Sequence, residues 1–230
     1  LNKKNRFYFS ISKAFREPTR SDFESNSQIK PEELVDIELG WNYKLEKTLI
    51  NANWYYMKYK NQLVLTGEID DVGTPVRENS GQSYRHGLEI ESILNMSNKI
   101  SINANMSISE NKNINYLTSI NGEIVNLGDT QISFSPKLVS SIGFRFEPIN
   151  KLYLSFITKH IGDQFMSNTD SDLSKLDSYT ISYFNIVFKL KNTKLFNEVT
   201  ISAIINNLLN IDYVSNGYYY TYDDTWSDPH

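Results

Sequence analysis

Residue types that commonly carry catalysis are sparse in this sequence, and their spacing does not suit catalysis. The three histidines are His86, His160 and His230, and no two of them stand at the spacing of zinc ligands. Ser155 and Ser167 are close to His160 in the sequence, but neither lies in a motif that marks a nucleophile. The chain has no glycine-rich phosphate loop, and without cysteine it has no thiolate metal site or disulfide. We therefore predict no enzyme activity, no bound metal and no cofactor.

An aromatic run near the end of the chain is a candidate for ligand binding. Aromatic ring faces can stack on a planar chelate or on a sugar. The alternative is that these side chains pack within a loop or belong to an aromatic girdle. The candidate residues are Tyr218, Tyr219, Tyr220 and Trp226.

Three arginines fall in segments without strand periodicity, where we expect long loops. Arg16, Arg20 and Arg77 could form charge-assisted hydrogen bonds with an anionic small molecule. The alternatives are ordinary solvated loop charge and contacts with lipopolysaccharide.

Composition and charge narrow the class of protein. The net charge of −4 and the absence of a basic run argue against nucleic-acid binding. No stretch approaches the roughly 18 apolar residues of a transmembrane helix. Yet 13% of the residues are aromatic, and Asn and Ser are abundant, as expected for a wall with one oily face and one wet face. No signal peptide is visible at the N-terminus. We therefore expect either that a signal peptide lies upstream of residue 1 or that the chain is a fragment.

Apolar and polar residues alternate with a period of two in nine segments, which predicts nine β-strands. Each is about 10 to 13 residues long, as a strand tilted across a bilayer requires. Globular strands are shorter, at about 5 or 6 residues. The predicted strands cover about residues 5–15, 33–44, 48–60, 84–94, 100–109, 134–146, 151–161, 178–190 and 198–208.

The connections between these strands alternate between long and short along the chain. In an up-and-down meander, alternate connections lie at opposite ends of the sheet, so this pattern places every long loop on one rim. Outer-membrane barrels have short periplasmic turns and longer extracellular loops in this way. The long connections are 16–32, 61–83, 110–133, 162–177 and 209–230, and the short ones are 45–47, 95–99, 147–150 and 191–197.

The two faces of the strands differ in chemistry. One face carries carboxylates and amides that would be costly to bury in a dry core, which favours a water-filled or plug-filled lumen. The other face is aliphatic and aromatic, as lipid requires, and Trp41, Tyr43, Trp54, Tyr56 and Tyr59 near strand ends suggest interfacial girdles. The predicted lumen-facing acids are Asp36, Glu38, Glu89 and Glu91, the last two pairing with plug or lumen cations.

These patterns predict an all-β protein, a fragment of an antiparallel up-and-down transmembrane β-barrel. Single-chain bacterial barrels have even strand numbers, so the odd count leads us to expect at least one further strand after residue 230.

Three stretches resemble TonB-dependent outer-membrane receptors, especially those of Bacteroidetes-type bacteria. Residues 12–20 resemble the family's strand end followed by a Phe-Arg-x-Pro turn. Residues 83–91 are similar to its Arg-x-Gly-hydrophobic-Glu strand. Residues 205–213 resemble its Asn-Leu-Phe-Asn-x-x-Tyr signature, with Leu209 in place of the usual aromatic residue.

The resemblance implies that residues 1–230 are the C-terminal portion of a barrel of about 22 strands, without its plug domain and final strand. It implies an integral outer-membrane receptor that imports a scarce nutrient such as a ferric siderophore, heme or cobalamin. It also implies energy transduction by the TonB-ExbB-ExbD complex through the absent plug region. Two alternatives remain open: a passive porin and a soluble all-β binding or adhesion module.

Overall fold

The computed structural model describes residues 4–69, 73–120, 123–191, 196–217 and 219, and nearly all of its regular structure is strand. Its only α-helix in these residues, α1 (Arg20–Ser25), has six residues. No helix in the described part of the chain has the length and hydropathy needed to cross a bilayer. The strands are β1 (Asn5–Arg16), β2 (Glu32–Leu45), β3 (Thr48–Lys60), β4 (Leu63–Ile69), β5 (Pro75–Asn79), β6 (Gln82–Asn95), β7 (Ile100–Ile114), β8 (Leu117–Ile120), β9 (Glu123–Asn126), β10 (Thr130–Gln131), β11 (Leu138–Phe146), β12 (Leu152–Ile161), β13 (Gln164–Phe165), β14 (Lys175–Leu176), β15 (Tyr179–Lys191) and β16 (Glu198–Ile205).

One antiparallel sheet contains all nine strands that the sequence predicted. Its order is β1-β2-β3-β6-β7-β11-β12-β15-β16, with the short β10 pairing beside β7. Every strand therefore pairs with the next long strand along the chain, which is the predicted up-and-down meander. In the described residues, β1 and β16 are the two edges, so the barrel wall does not close within this segment.

Strand boundaries agree with the predicted ones to within a few residues at most positions. Two predicted strands are the main exceptions. The fifth was predicted to end at residue 109, but β7 continues to Ile114. The sixth was predicted to begin at residue 134, but β11 begins at Leu138. Phe134 has a φ of 50°, which no strand residue adopts, and Pro136 has no N–H for a sheet. Residues 134–137 therefore form a turn and not a strand, and Phe134, Ser135 and Pro136 of this turn line a recess on one face of the sheet.

The two faces of the sheet are as different as the alternation predicted. Aliphatic and aromatic side chains of one face are solvent-exposed in the isolated chain, with Phe7 at 67% and Ile142 at 54% exposure. A contiguous apolar surface of this size needs an apolar environment. We call this the outer face, and the opposite face, with its amides and carboxylates, the inner face.

The long connections carry their own structure at one rim. The hairpin β4–β5 rises between β3 and β6, and the hairpin β8–β9 follows β7. The buried hydrophobic side chains of the described residues lie mostly in these connections. They are Ile29, Leu63, Val64, Tyr116, Ile132, Leu176 and Ile181.

Hydrogen bonds tie neighbouring loops to each other. Asn79 Nδ2 donates to the carbonyls of Lys30 and Asn61, both at 2.9 Å. The backbone N–H of Gln131 donates to Asp170 Oδ1 at 2.7 Å. Since these bonds join segments far apart in sequence, the loops form one packed layer above the sheet.

Candidate functional site

Polar side chains on the inner face form a hydrogen-bonded ladder across β1, β2, β3 and β6. Asn42 Nδ2 donates to Asn51 Oδ1 at 2.9 Å, and Asn51 Nδ2 donates to Glu91 Oε2 at 3.1 Å. The Tyr8 hydroxyl donates to Asn53 Oδ1 at 3.1 Å. The ladder lines a shallow recess of about 330 Å³ that also includes Glu89.

The sequence-derived acids occupy the same face. Strand register places Asp36 opposite Met57 and Glu38 opposite Tyr55. Glu89 and Glu91 lie opposite Asn53 and Asn51 in the next strand pair. These four carboxylates therefore form an acidic stripe that runs along the inner face of β2 and β6.

A second inner-face recess, of about 430 Å³, lies nearer the long-loop rim. Tyr55 and Tyr59 of β3 and Arg85 of β6 contribute to its floor, and Phe134 overhangs it from the turn before β11. Arg85 Nη1 donates to Ser135 Oγ at 3.2 Å, which ties the floor to that turn. We call this the upper recess. Glu38 and Glu89 also line this recess, and Arg85 is the one cationic group among the described residues that line it. Aromatic rings beside a guanidinium can hold a planar ligand whose anionic group contacts that guanidinium.

Tyr59 shows one prediction to be wrong. The aromatic pattern predicts it in the outer girdle, yet strand register puts it opposite Leu34 and Ser83 on the inner face, in the upper recess. The physical reason is that successive side chains of a strand point to opposite faces. Tyr56 is on the outer face, and Tyr59 is three residues further along the strand, so Tyr59 is on the inner face.

The upper recess is not apparent from the sequence. Its lining residues come from β2, β3, β6, β7 and the start of β11, and Phe134 comes from a turn that was predicted to be strand. The sequence contains only a weak indication of this recess. Tyr55 and Tyr59 are an even number of residues apart and so share a strand face, but the hairpin β4–β5 separates them from Arg85 in the sequence.

Two of the candidate arginines already have carboxylate partners in the loop layer. Arg20 Nε lies 2.7 Å from Glu24 Oε1 on the exposed surface of α1. Arg77 Nη1 lies 3.3 Å from Asp22 Oδ1, which is almost fully buried. Arg16 ends β1 opposite Glu32 of β2 and is exposed at the rim.

Asp22 is the most constrained of these groups. Burial raises its pKa, but hydrogen bonds from the backbone and hydroxyl of Thr19, together with Arg77, outweigh burial and hold the pKa below its usual value. Thr19 and Asp22 also form a capping box that starts α1. Asp22 is therefore a charged anchor of the loop layer.

Only one member of the aromatic run lies in the described part of the chain. The Tyr219 hydroxyl donates to Ser171 Oγ at 3.3 Å, next to the short 3-10 helix Asp172–Ser174. Tyr218, Tyr220 and Trp226 lie outside the described residues.

Comparison with known proteins identifies the fold. Residues 1–208 match the family model described as "TonB dependent receptor-like, beta-barrel". This chain therefore belongs to the TonB-dependent receptor β-barrel family, whose members are integral proteins of the bacterial outer membrane. No curated protein sequence matches the chain.

Solved structures of similar fold include the copper transporter OprC, with a TM-score of 0.71 at 16% identity, covering 93% of this chain and 32% of that one. The siderophore receptor PiuA from Acinetobacter baumannii has a TM-score of 0.70 at 17% identity, covering 92% and 30%. The ferric yersiniabactin uptake receptor FyuA from Yersinia pestis has a TM-score of 0.68 at 15% identity, covering 96% and 32%. The chain spans about a third of the length of these structures.

Proposed function

We propose that this chain is the C-terminal portion of a receptor for TonB-dependent active import of a scarce nutrient, such as a ferric siderophore, heme or cobalamin. Family membership supports outer-membrane import of a small molecule as the general role. The names of the three similar structures refer to copper, to a siderophore and to ferric yersiniabactin.

The upper recess is the observation that favours a specific ligand route on this chain. It combines tyrosine rings with Arg85 directly beneath the layer of long loops, on the face that a barrel turns towards its lumen. A ligand held by the loops would meet these groups first on its way inward. The loop residues proposed from the sequence remain candidates for the outermost ligand contacts. They are Arg16, Arg20, Arg77, Tyr218, Tyr219, Tyr220 and Trp226.

The acidic stripe supports a second element of the proposal. Asp36, Glu38, Glu89 and Glu91 offer carboxylates to cations of a plug domain, through which the TonB-ExbB-ExbD complex would act. Carboxylates on a lumen wall need partners or water, since low-dielectric surroundings penalise unpaired charge. On the outer face, membrane lipid and lipopolysaccharide would surround the wall.

Uptake by the full-length protein that carries this chain tests the proposal. Cells lacking their own receptors would express it and receive radiolabelled ferric catecholate, ferric hydroxamate, heme or cobalamin. We expect accumulation of at least one ligand, abolished by deletion of tonB or by an uncoupler of the proton gradient. Uptake that persists without TonB would show passive diffusion and overturn active import.

A further inference from the structure

Charged side chains gather on the outer face at the rim of the long loops, where the wall meets the membrane surface. Strand register places all of them on the outer face of β1, β2, β3, β6 and β7. We call this group the outer rim cluster. Its members are Lys13, Glu33, Lys58, Lys60, His86, Glu110 and Lys112.

Positive charge predominates in the outer rim cluster. Glu33 is shared by Lys13 at 3.3 Å and Lys60 at 3.8 Å. The four lysines face two carboxylates, which leaves a net charge of +2 with the histidine neutral.

The second carboxylate is also shared. Glu110 lies 3.2 Å from His86 Nε2 and 4.0 Å from Lys112 Nζ. Among the described residues, Lys58 is exposed and takes part in no ion pair. The two carboxylates of the cluster therefore do not neutralise all of its lysine charge.

Aromatic rings fix the depth of the outer rim cluster in the membrane. Tyr56, Tyr84 and His86 stack with ring centroids 5.7 to 6.4 Å apart. Tyrosine rings of barrel walls sit at the level of lipid headgroups. Two residues further along the strands from the long-loop rim, the outer face becomes apolar at Trp54 and Leu88. The lysines are therefore at headgroup level and not within the hydrocarbon.

In β11, β12, β15 and β16, as far as the structure describes them, the outer face carries no lysine or arginine at the same rim. There the outer face carries Thr158 and Ser182, whose hydroxyls are 3.0 Å apart, and His160, whose Nδ1 is 2.9 Å from Thr180 Oγ1. These groups satisfy one another without lysine. The outer rim cluster is thus a local feature of β1 to β7 and not a general property of this wall.

We propose that the outer rim cluster binds the phosphorylated sugar headgroup of a lipid A molecule in the outer leaflet, with Lys58 and Lys112 as its principal contacts. Register places both beside Tyr84, one on each side. Two strand spacings put their Cα atoms about 10 Å apart. Flexible lysine stems can converge on one phosphate across that distance while their alkyl parts lie along apolar surface. The proposal rests on the orientation in the proposed function, with the long loops extracellular.

Native mass spectrometry of the full-length protein in detergent tests this site directly. The probes are lipid A with both phosphates and the same lipid after enzymatic removal of the phosphates. The test variant is Lys58→Gln with Lys112→Gln. The matched control is Lys47→Gln with Lys99→Gln, which removes two exposed lysines at the short-turn rim. Lys58→Arg with Lys112→Arg tests rescue by charge.

We expect the test variant to retain about tenfold less phosphorylated lipid A, with the control and the arginine variant close to the wild type. Dephosphorylated lipid should bind the wild type about as weakly as phosphorylated lipid binds the test variant. Equal retention by wild type and test variant, or no effect of removing the phosphates, would overturn the proposal. Displacement of the lipid by millimolar inorganic phosphate would instead assign the site to free phosphate. None of these readouts depends on nutrient uptake, so failure here is distinguishable from failure of the proposed function.

Discussion

Arg77 Nη1 lies 3.3 Å from Asp22 Oδ1 across 55 residues of sequence, and this ion pair joins α1 to the hairpin β4–β5. Asp22 is almost fully buried, whereas Arg77 is partly exposed. The pair therefore links two long loops at a place where one partner has little access to water. Loops held together in this way are part of the packed loop layer at the long-loop rim.

Replacing Asp22 with Asn should loosen the loop layer. The substitution removes the charge that Arg77 and the Thr19 cap satisfy, at a local cost of about 1–3 kcal/mol. Hydrogen exchange should show faster exchange in residues 20–31 and 75–79, with β6 and β7 unchanged. Lys175→Gln is the control: its ion pair with Asp163, at 2.9 Å, is solvent-exposed, so we expect no change there.

The same anchor predicts a pH dependence. Because the pKa of Asp22 is held below its usual value, its stabilising effect is present above the unfolded pKa of about 3.9 and is lost as the pH falls through the folded pKa. Loop protection should therefore be constant from about pH 5 to 8 and fall below about pH 4. In Asp22→Asn this acid-dependent fall should be absent, and its persistence would assign it to another group.

Two glycines of the inner face should differ in their tolerance of a methyl group. A Cβ at Gly40 would overlap the ring of Tyr8, a side chain that can rotate away. A Cβ at Gly87 would lie 2.6 Å from the backbone carbonyl of Ile108, which cannot move without breaking the β6–β7 pairing.

Gly87→Ala should therefore destabilise the wall by about 1–3 kcal/mol, and Gly40→Ala by less. Both free energies of unfolding can be measured by urea unfolding of the full-length protein, with the heat-dependent shift in gel mobility as the readout of the folded fraction. Tyr8→Ala should relieve the Gly40→Ala defect and leave the Gly87→Ala defect unchanged. The opposite ranking of the two glycines would contradict the close approach of β6 and β7 at Gly87.

Arg85 should contribute to ligand affinity if the upper recess lies on the import route. Arg85→Gln removes a charge-assisted contact, so the Kd for an anionic ferric catecholate should rise about tenfold or more. Arg145→Gln is the matched control, because Arg145 lies against the Tyr153 ring, 4.5 Å from its centroid, near the short-turn rim. Equal affinities for wild type and Arg85→Gln, measured by fluorescence quenching, would remove the recess from the route.

Adjacent positions on β7 test which face meets lipid. Met106 is on the outer face near the middle of the apolar belt, and Asn105 is on the inner face. Met106→Lys should cost about 2–4 kcal/mol and reduce the amount assembled in the outer membrane, because it places a charge in hydrocarbon. Asn105→Lys adds the same charge towards the lumen and should assemble normally. Equal assembly of the two variants would contradict the assignment of faces.

The sequence determined the strands, their faces and their order. Side chains alternate with a period of two whatever the strand pairs with, so Glu89 and Ile90 had to lie on opposite faces. The alternation of long and short connections then fixed the meander, since antiparallel neighbours require alternate rims. Even the acidic stripe of Asp36, Glu38, Glu89 and Glu91 follows from register parity.

Only the tertiary structure decided which loop and wall residues meet. Asp22 and Arg77 have no periodic relation, and neither do Arg85 and Phe134, whose proximity depends on a turn at a positive φ. The outer rim cluster likewise depends on the register that brings Lys58 and Lys112 to the two sides of Tyr84. Local sequence encodes period and turn chemistry, whereas these contacts arise from pairing between distant segments, which no local pattern specifies.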